Sequence, residues 1–299
     1  MPHRWANLKL VPESQAEGRV GEILAEVRQA LGAPYAGLVF RAYGAYPKFL
    51  EMFWSRVQPA VADAKFFALA DRLRATAYTR VYSYFTVPDL CMRAEQMRLS
   101  PGARQELGTT VDLLYYYNPL QLLLSAVALQ AFDKPIGRTP SAPAPATHPE
   151  FRVHPVLVDE AAATPRVARI YDEVKRTFGA PIVNTDFRAL ARFPDFLEDY
   201  WAVLRPLTES PIYSESLFGV QDAALGLARE FPAEVNLTKE RLEKAGIDDD
   251  SIGAVVRATE LFMKILSSSL LNLALAKIGL DGGGSVKPKA EHAESPRAA

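Results

Sequence analysis

Residues 20–59, VGEILAEVRQALGAPYAGLVFRAYGAYPKFLEMFWSRVQP, decide the fold because the chain repeats them. The second copy is residues 167–206, VARIYDEVKRTFGAPIVNTDFRALARFPDFLEDYWAVLRP, at a constant offset of 147 (167 minus 20) and without a gap. Sixteen of the forty positions are identical, whereas ordinary residue frequencies would give about two or three. The match predicts that one structural unit occurs twice.

Each copy has the apolar periodicity of α-helices. Ile23 and Val27 lie four residues apart before Pro34 ends a first helix. A second helix is predicted over residues 40–54, with a bend at Pro47. Few segments alternate with the period of two that strands require, so the fold class predicted is all-α.

The repeat also divides the chain into parts. Residues 15–132 and 156–280 are predicted to be two tandem homologous helical repeats. Residues 133–155 are rich in Pro and read as an extended linker, and residues 281–299 are Gly-rich, polar and predicted to be a disordered tail. Because a short helical unit cannot bury its apolar faces alone, we expect the two repeats to pack together as a pseudo-dimer, with a pocket between them.

Composition limits the partners and the compartment. Lys and Arg total 34 against 35 Asp and Glu, so a net charge of -1 gives no electrostatic case for nucleic acid or an anionic membrane. Small molecules and copies of the chain are the expected partners. A single cysteine, Cys91, excludes an intrachain disulfide and a CxxC pair. With no apolar secretory segment at the start, the expected location is the cytoplasm.

Two apolar stretches, residues 113–132 and 261–280, approach the length of a bilayer-spanning helix. The first contains Asn118, and the second contains Lys264 and Asn272. These polar interruptions favour central core helices over membrane spans.

A difference between the copies gives the main functional signal. Asp186 lies opposite Val39, and Asn184 lies opposite Gly37, with Thr185 between the two polar residues. A polar residue present in only one copy is not required by the shared fold. Asp186 is therefore the first candidate for chemistry.

The surroundings of Asp186 leave its role open. On a helix it shares a face with Leu190, Phe193 and Leu197, which predicts apolar surroundings. Burial raises the pKa of a carboxylate, whereas a helix N-terminus lowers it. The alternative to a functional role is a plain helix N-cap, for which Asp, Thr and Asn are all suited.

A second difference lies in the long apolar stretch. At an offset of 148, Asn118 lies opposite Leu266, and the aromatic run Tyr115–Tyr117 lies opposite 263–265. Asn118 could cap a helix that begins at Pro119. The alternative is a helix kinked at that proline, with the Asn amide turned into a pocket.

Several common sites are not predicted. The four histidines, His3, His148, His154 and His292, lie in the N-terminal arm, the linker and the tail, so neither a histidine metal site nor a Ser-His-Asp triad is expected. No phosphate-binding motif such as GxGxxG is present. A cofactor-free reaction that needs one carboxylate remains possible.

The tandem repeats, the long linker, YYYNP at 115–119 and NTDFRALARFP at 184–194 together resemble the group I 2-haloacid dehalogenases, the DehI family. The resemblance covers roughly residues 15–280. It implies hydrolytic removal of halide from C2 of a short 2-haloalkanoic acid, giving the 2-hydroxy acid with inverted configuration, without a cofactor and in a homodimer. Asp186 would match the catalytic Asp and Asn118 the pocket Asn.

The chemistry assigns further roles. Asp186 would take the proton of the attacking water, Asn118 would hold the water or a substrate oxygen, and Thr185 would help to fix it. Direct attack by Asp186 with an ester intermediate stays open on the residues alone, although the resemblance favours water. The resemblance also suggests that a bulky residue at Asn184 gives a preference for the D enantiomer.

The halide and the carboxylate of the substrate need their own contacts. Tyr117, Phe40 and Phe187 are candidate aromatic walls for the halide. Free N–H groups at the start of the Asp186 helix could bind the carboxylate. Arg188 could do so too, but Arg41 occupies the same place in the first copy, which favours a structural role for both.

Two other interpretations remain at this point. The wider AhpD-like helical group also carries repeats of this kind; its peroxidases need a CxxC pair that this chain lacks, but a decarboxylase or hydratase on the scaffold stays open. The alternative from another class is a non-catalytic helical binding protein in which Asp186 and Asn118 are caps.

Overall fold

The computed structural model describes residues 8–138, 144–149, 151 and 153–284. Over these residues the fold is all-α, as predicted, with helices, two short 3₁₀ turns and isolated β-bridges but no strand. From residue 285 onward, the tail predicted to be disordered lies outside the described residues, as do parts of the linker.

The helix bounds recur along the chain. The first half contains α1 (Gly18–Leu31), α2 (Leu38–Tyr43), α3 (Pro47–Val61), α4 (Ala64–Tyr84), α5 (Leu90–Gln96) and α6 (Pro101–Ala131). The second half contains α7 (Pro165–Phe178), α8 (Thr185–Leu190), α9 (Pro194–Thr208), α10 (Pro211–Ala228), α11 (Lys239–Lys244) and α12 (Asp249–Leu280). Helices α1 to α4 and α7 to α10 begin at the offset of 147 found in the sequence, and α6 and α12 begin at an offset of 148.

Side-chain contacts recur at the same offset. The indole Nε1 of Trp54 donates to Glu26 at 2.6 Å, and that of Trp201 donates to Glu173 at 2.8 Å. Each pair joins the first and third helices of its half. This pair of identical residues thus makes the same contact in both halves.

The ends of α1 and α7 show why glycine is present in both copies. Gly32 and Gly179 follow these helices with φ of 61° and 57°. This left-handed conformation is unfavourable for residues with a Cβ but open to glycine. The first predicted helix therefore ends where the sequence indicated.

The prediction of one bent helix over residues 40–54 is wrong. The structure has two helices, because α2 ends at Tyr43 and α3 begins at Pro47. Proline lacks an N–H and its ring obstructs the preceding turn, so it begins a helix more readily than it continues one. The break leaves α2 as a short helix that contacts α12.

Helices α6 and α12 pack against each other in the centre of the protein. Among the described helices, α12 is the one long and apolar enough to cross a bilayer, yet 89% of its most apolar window is buried within the protein. Most of α6 from Leu113 to Ala128 is also buried. Both apolar stretches therefore lie in the core, and the short α8 contacts α6 beside them.

Candidate active site

Asp186 lies at the second position of α8 and is buried, with 4% of its surface exposed. One carboxylate oxygen, Oδ1, accepts a hydrogen bond from Asn118 Nδ2 at 3.0 Å. The other, Oδ2, accepts one from Asn184 Nδ2 at 3.0 Å. Both polar differences between the copies thus meet at one carboxylate.

Neither Asp186 nor Asn118 caps a helix. Asn184 holds the N-cap position of α8, where its side chain makes no capping hydrogen bond, and Asp186 lies two residues further on. Asn118 lies inside α6, a continuous helix from Pro101 to Ala131 that includes Pro119. The alternative that Asn118 caps a helix beginning at Pro119 is therefore wrong. The helix continues through Pro119 because its burial outweighs the backbone hydrogen bond that the proline loses.

Ser269 of α12 completes the polar cluster. Its hydroxyl accepts a short hydrogen bond from Asn184 Nδ2, the same group that donates to Asp186. The cluster thus joins α6, the start of α8 and α12. Since α6 and α12 pack against each other in the core, the carboxylate is hydrogen-bonded to a side chain from a buried helix.

Burial raises the pKa of Asp186 from 3.8 to about 6, although the Ser269 hydroxyl and the Asn118 amide lower it. Burial disfavours the charged carboxylate, while donated hydrogen bonds favour it. As a result, Asp186 is a stronger base than an ordinary carboxylate, and it is still ionised at neutral pH. Such a group is suited to proton abstraction.

The Asp186 carboxylate faces a small cavity. About 10 Å³ of it is open to the centre of a water molecule, which is about the space that one buried water needs. Neither lysine, arginine nor histidine is among the lining residues, which are Leu38, Asn118, Gln121, Asn184, Thr185, Asp186, Phe262, Ile265, Leu266 and Ser269.

Two larger depressions lie elsewhere and are more open. One, of about 520 Å³, is lined in part by Arg28, His148 and His154, and the other, of about 550 Å³, includes Arg72 and Arg80. Size alone would favour these depressions. We assign the site to the smaller cavity because it holds a buried acid with a raised pKa.

The predicted site residues are only partly brought together. Asp186, Asn118, Asn184 and Thr185 all line the cavity. Tyr117 does not; its hydroxyl accepts a hydrogen bond from the Gly37 N–H at 3.0 Å.

Phe40 and Phe187 also lie outside the lining. They pack edge-on against Trp54 and Trp201, with ring centroids 5.9 Å and 5.7 Å apart. These equivalent contacts stabilise each half. The apolar surface of the cavity comes instead from Leu38, Phe262, Ile265 and Leu266.

The two matched arginines make matched structural contacts. Arg41 Nε donates to the Val11 carbonyl at 3.0 Å, and Arg188 Nε donates to the Val158 carbonyl at 3.5 Å. Both contacts hold the segment before the first helix of each half. Neither arginine lines the cavity, which agrees with the structural interpretation.

Sequence reasoning missed Gln121 and Ser269, which line the cavity from α6 and α12. These two residues correspond at the offset of 148 (269 minus 121). A signal was present, because Gln121 lies three residues after Asn118 and so on the same helical face. Both residues are polar interruptions of the two apolar stretches.

The sequence predicted no histidine metal site, and the structure describes two of the four histidines, His148 and His154. Within the ranges that the structure describes, no three His, Cys, Asp or Glu side chains come together as metal ligands would. His3 and His292 lie outside these ranges. The donor set around Asp186 consists of amides and hydroxyls, which suits hydrogen bonding.

The chain is similar to known proteins over most of its length. A family model described as Halocarboxylic acid dehydrogenase DehI matches residues 34–180, a range that includes Asn118 but stops short of Asp186. An (R)-2-haloacid dehalogenase of Pseudomonas putida is 24% identical over 276 residues, which is 90% of this chain and 91% of that protein. This chain is similar to the DehI family.

Other similar proteins extend the comparison. An (R)-2-haloacid dehalogenase of Rhizobium sp. (strain NHG3) is 25% identical over 232 residues, covering 77% of this chain and 90% of the relative. A solved D-2-haloacid dehalogenase mutant in complex with D-2-CPA superposes with a TM-score of 0.86 at 23% identity, over 91% of this chain and 96% of that one. The structural likeness shows that this chain has the fold of that dehalogenase.

Proposed function

We propose that this chain is a 2-haloacid dehalogenase that hydrolyses short 2-haloalkanoic acids to 2-hydroxy acids. The observation that carries the proposal is the buried Asp186 carboxylate, with a pKa of about 6, facing a cavity with room for one water. The 2-haloacid dehalogenase names of the curated relatives support the same reaction.

In the proposed mechanism Asp186 acts on water. The water oxygen attacks C2 and forms the new C–O bond, its proton passes to the Asp186 carboxylate, and the carbon–halogen bond breaks to release halide. Attack opposite the halogen inverts C2. A relative from Pseudomonas sp. (strain 113) that is named configuration-inverting, 24% identical over 214 residues, supports this course.

The neighbouring amides orient the base. Asn118 Nδ2 and Asn184 Nδ2 each donate to one carboxylate oxygen, which fixes the plane of the carboxylate. The Asn118 Oδ1 remains able to accept a hydrogen bond from the water. Thr185, at the rim of the same cavity, offers a further hydroxyl. A 2-haloacid is larger than the free space, so its binding requires the apolar lining to move apart.

The decisive experiment is halide release from separate D- and L-2-chloropropionate, followed by chiral analysis of the lactate. We expect the D enantiomer to be preferred, as Asn184 suggests and as the (R)-specific names of two relatives support. Lactate of retained configuration would contradict the mechanism. Absence of halide from both enantiomers would contradict the function.

A single turnover in H₂¹⁸O separates the two possible nucleophiles. Direct attack by water places ¹⁸O in the lactate during the first turnover. Attack by Asp186 would instead give an ester, and its hydrolysis would transfer an unlabelled carboxylate oxygen to the first product. We expect labelled lactate.

We further propose that the two halves pack about an approximate two-fold axis through the cavity. Corresponding residues line it from both halves: Leu38 with Thr185, and Gln121 with Ser269. The recurrence of helix bounds supports the same arrangement. A cytoplasmic homodimer without metal or organic cofactor completes the proposal; sedimentation of the purified chain and metal analysis test these parts.

A further inference from the structure

The side chain of Gln121 is buried in the cavity wall, with 4% of its surface exposed. Its Oε1 has no hydrogen-bond partner among the described residues. Buried polar atoms in folded proteins are nearly always paired, so an unpaired one calls for an explanation. An amide of this kind, facing a cavity, is suited to binding a ligand.

The other amides of the cavity are already engaged. Asn118 Nδ2 and Asn184 Nδ2 donate to Asp186, and Asn184 also donates to Ser269. Gln121 is thus the lining amide that the polar cluster does not use. It lies one turn after Asn118 on α6, on the same face.

The fold makes room for this long side chain. A Cβ at Gly37 would lie 1.5 Å from Gln121 Oε1, so the glycine is needed for space. Its φ of -63° is open to any residue, so backbone conformation is not the reason. In the second half the sizes are reversed, because Asn184 stands where the first half has Gly37 and the short Ser269 stands where it has Gln121.

We propose that the Gln121 amide binds the carboxylate of the substrate and so determines specificity for acids; this rests on the proposed dehalogenase function. Gln121 Nε2 donates to a carboxylate oxygen, and rotation of the amide exchanges Oε1 and Nε2 without moving the rest of the side chain.

A neutral donor has a chemical advantage at this position. The lining residues include no cation, and a lysine or arginine beside Asp186 would favour its charged form and lower its pKa. An amide binds the anionic substrate without weakening the base. Recognition of the acid and strength of the base are thereby compatible in one small cavity.

The test compares Gln121→Met, which keeps length and removes the donor, with Gln130→Met. Gln130 lies on the same helix but bonds to the Leu225 carbonyl at 2.7 Å, so its variant controls for the loss of an amide from α6. Calorimetry gives the Kd of L-lactate and of neutral lactamide for the wild type and both variants. Halide release gives KM and kcat with 2-chloropropionate.

We expect the wild type and Gln130→Met to prefer lactate over lactamide. Gln121→Met should weaken lactate binding and raise KM about tenfold, as for a lost hydrogen bond to a charged group, while lactamide binding and kcat change little. An unchanged lactate Kd and KM in Gln121→Met overturn the proposal, as does a wild type that binds no lactate.

The same data separate this proposal from the proposed reaction. Lactate binding that depends on Gln121, in a protein that releases no halide, supports the carboxylate site and refutes the dehalogenase. Halide release with a KM indifferent to Gln121→Met supports the dehalogenase and refutes the carboxylate site.

Discussion

Asn118 Nδ2 lies 3.0 Å from Asp186 Oδ1, a hydrogen bond between residues 68 positions apart in the chain. Each of these residues replaces an apolar residue of the other half, Val39 for Asp186 and Leu266 for Asn118. Two polar residues, one specific to each half of the chain, therefore meet in one buried contact. Several predictions concern this contact and its surroundings.

Asp186→Asn should abolish halide release. General-base catalysis typically contributes about 10²–10⁴-fold, so kcat should fall by at least about 10²-fold. The matched control is Asp63→Asn, since Asp63 is equally buried but caps α4, where Asn is also a good cap. Its kcat should stay near that of the wild type. Residual activity of Asp186→Asn above a tenth of the wild type would exclude Asp186 as the base.

The acid limb of kcat/KM should fall at about pH 6. The base must be ionised, and burial raises the pKa of Asp186 to about 6. Activity should therefore be lost as the pH falls from 7 to 5. An enzyme still fully active at pH 4.5 would mean that a different group, or a carboxylate of ordinary pKa, takes the proton.

Asn118→Leu introduces the residue found at the equivalent position of the other half, Leu266. It should raise the apparent pKa of the acid limb. The amide stabilises the ionised carboxylate, so its loss raises the pKa of Asp186 further. We expect a higher apparent pKa together with a lower kcat, because the water also loses an acceptor. The measurement is the pH profile of halide release. A lower kcat with an unmoved acid limb would assign Asn118 to the water or the substrate alone.

Asp186→Asn should also stabilise the fold at alkaline pH. The pKa of Asp186 in the folded state, about 6, lies above its ordinary value of 3.8, so the folded state binds an extra proton between these pH values. The contribution of this group to the free energy of unfolding is therefore full below about pH 4 and lost as the pH rises through 6. Removing the charge should gain about 1–3 kcal/mol at pH 8 and little at pH 4.

Urea unfolding of both proteins at the two pH values measures this difference. The comparison isolates Asp186 because the other carboxylates are shared by both proteins. A variant that is less stable than the wild type at pH 8 would show that the hydrogen bonds from Asn118 and Asn184 outweigh the burial of the charge.

Gly37→Ala should act like a substitution of Gln121. The added Cβ would lie 1.5 Å from Gln121 Oε1 and must displace that side chain. We expect KM for 2-chloropropionate to rise, and the double variant with Gln121→Met to show no further increase. The control is Gly108→Ala, which meets no atom within 4 Å and should stabilise α6 slightly. Additive effects of the two substitutions would mean that Gly37 acts independently of Gln121.

Much of this architecture is local and therefore predictable from sequence. Gly32 and Gly179 end helices because their left-handed conformation favours glycine. The comparison of Asp186 with Val39 singled out the carboxylate that lines the cavity, because each repeat shows which residues the shared fold requires. The break before Pro47 was misjudged because periodicity alone does not separate one bent helix from two.

The rest of the site depends on distant packing. Whether Pro119 begins a helix or lies within one is decided by the burial of α6 against α12, which outweighs the missing N–H. The meeting of Gln121 with Gly37 and of Asn184 with Ser269 depends on how α6 and α12 pack beside the starts of α2 and α8. No local pattern contains that information.

The single carboxylate of the cavity bears on why one fused chain suits this site. In an assembly of two identical repeats around the proposed axis, an aspartate at this position would be present twice and close to its own copy. Two carboxylates so placed would share a proton, and one of them would lose its basicity at neutral pH. Joining the repeats in one polypeptide lets a single acid evolve against an aliphatic partner, Val39. Fusion thus permits a centre with a single base.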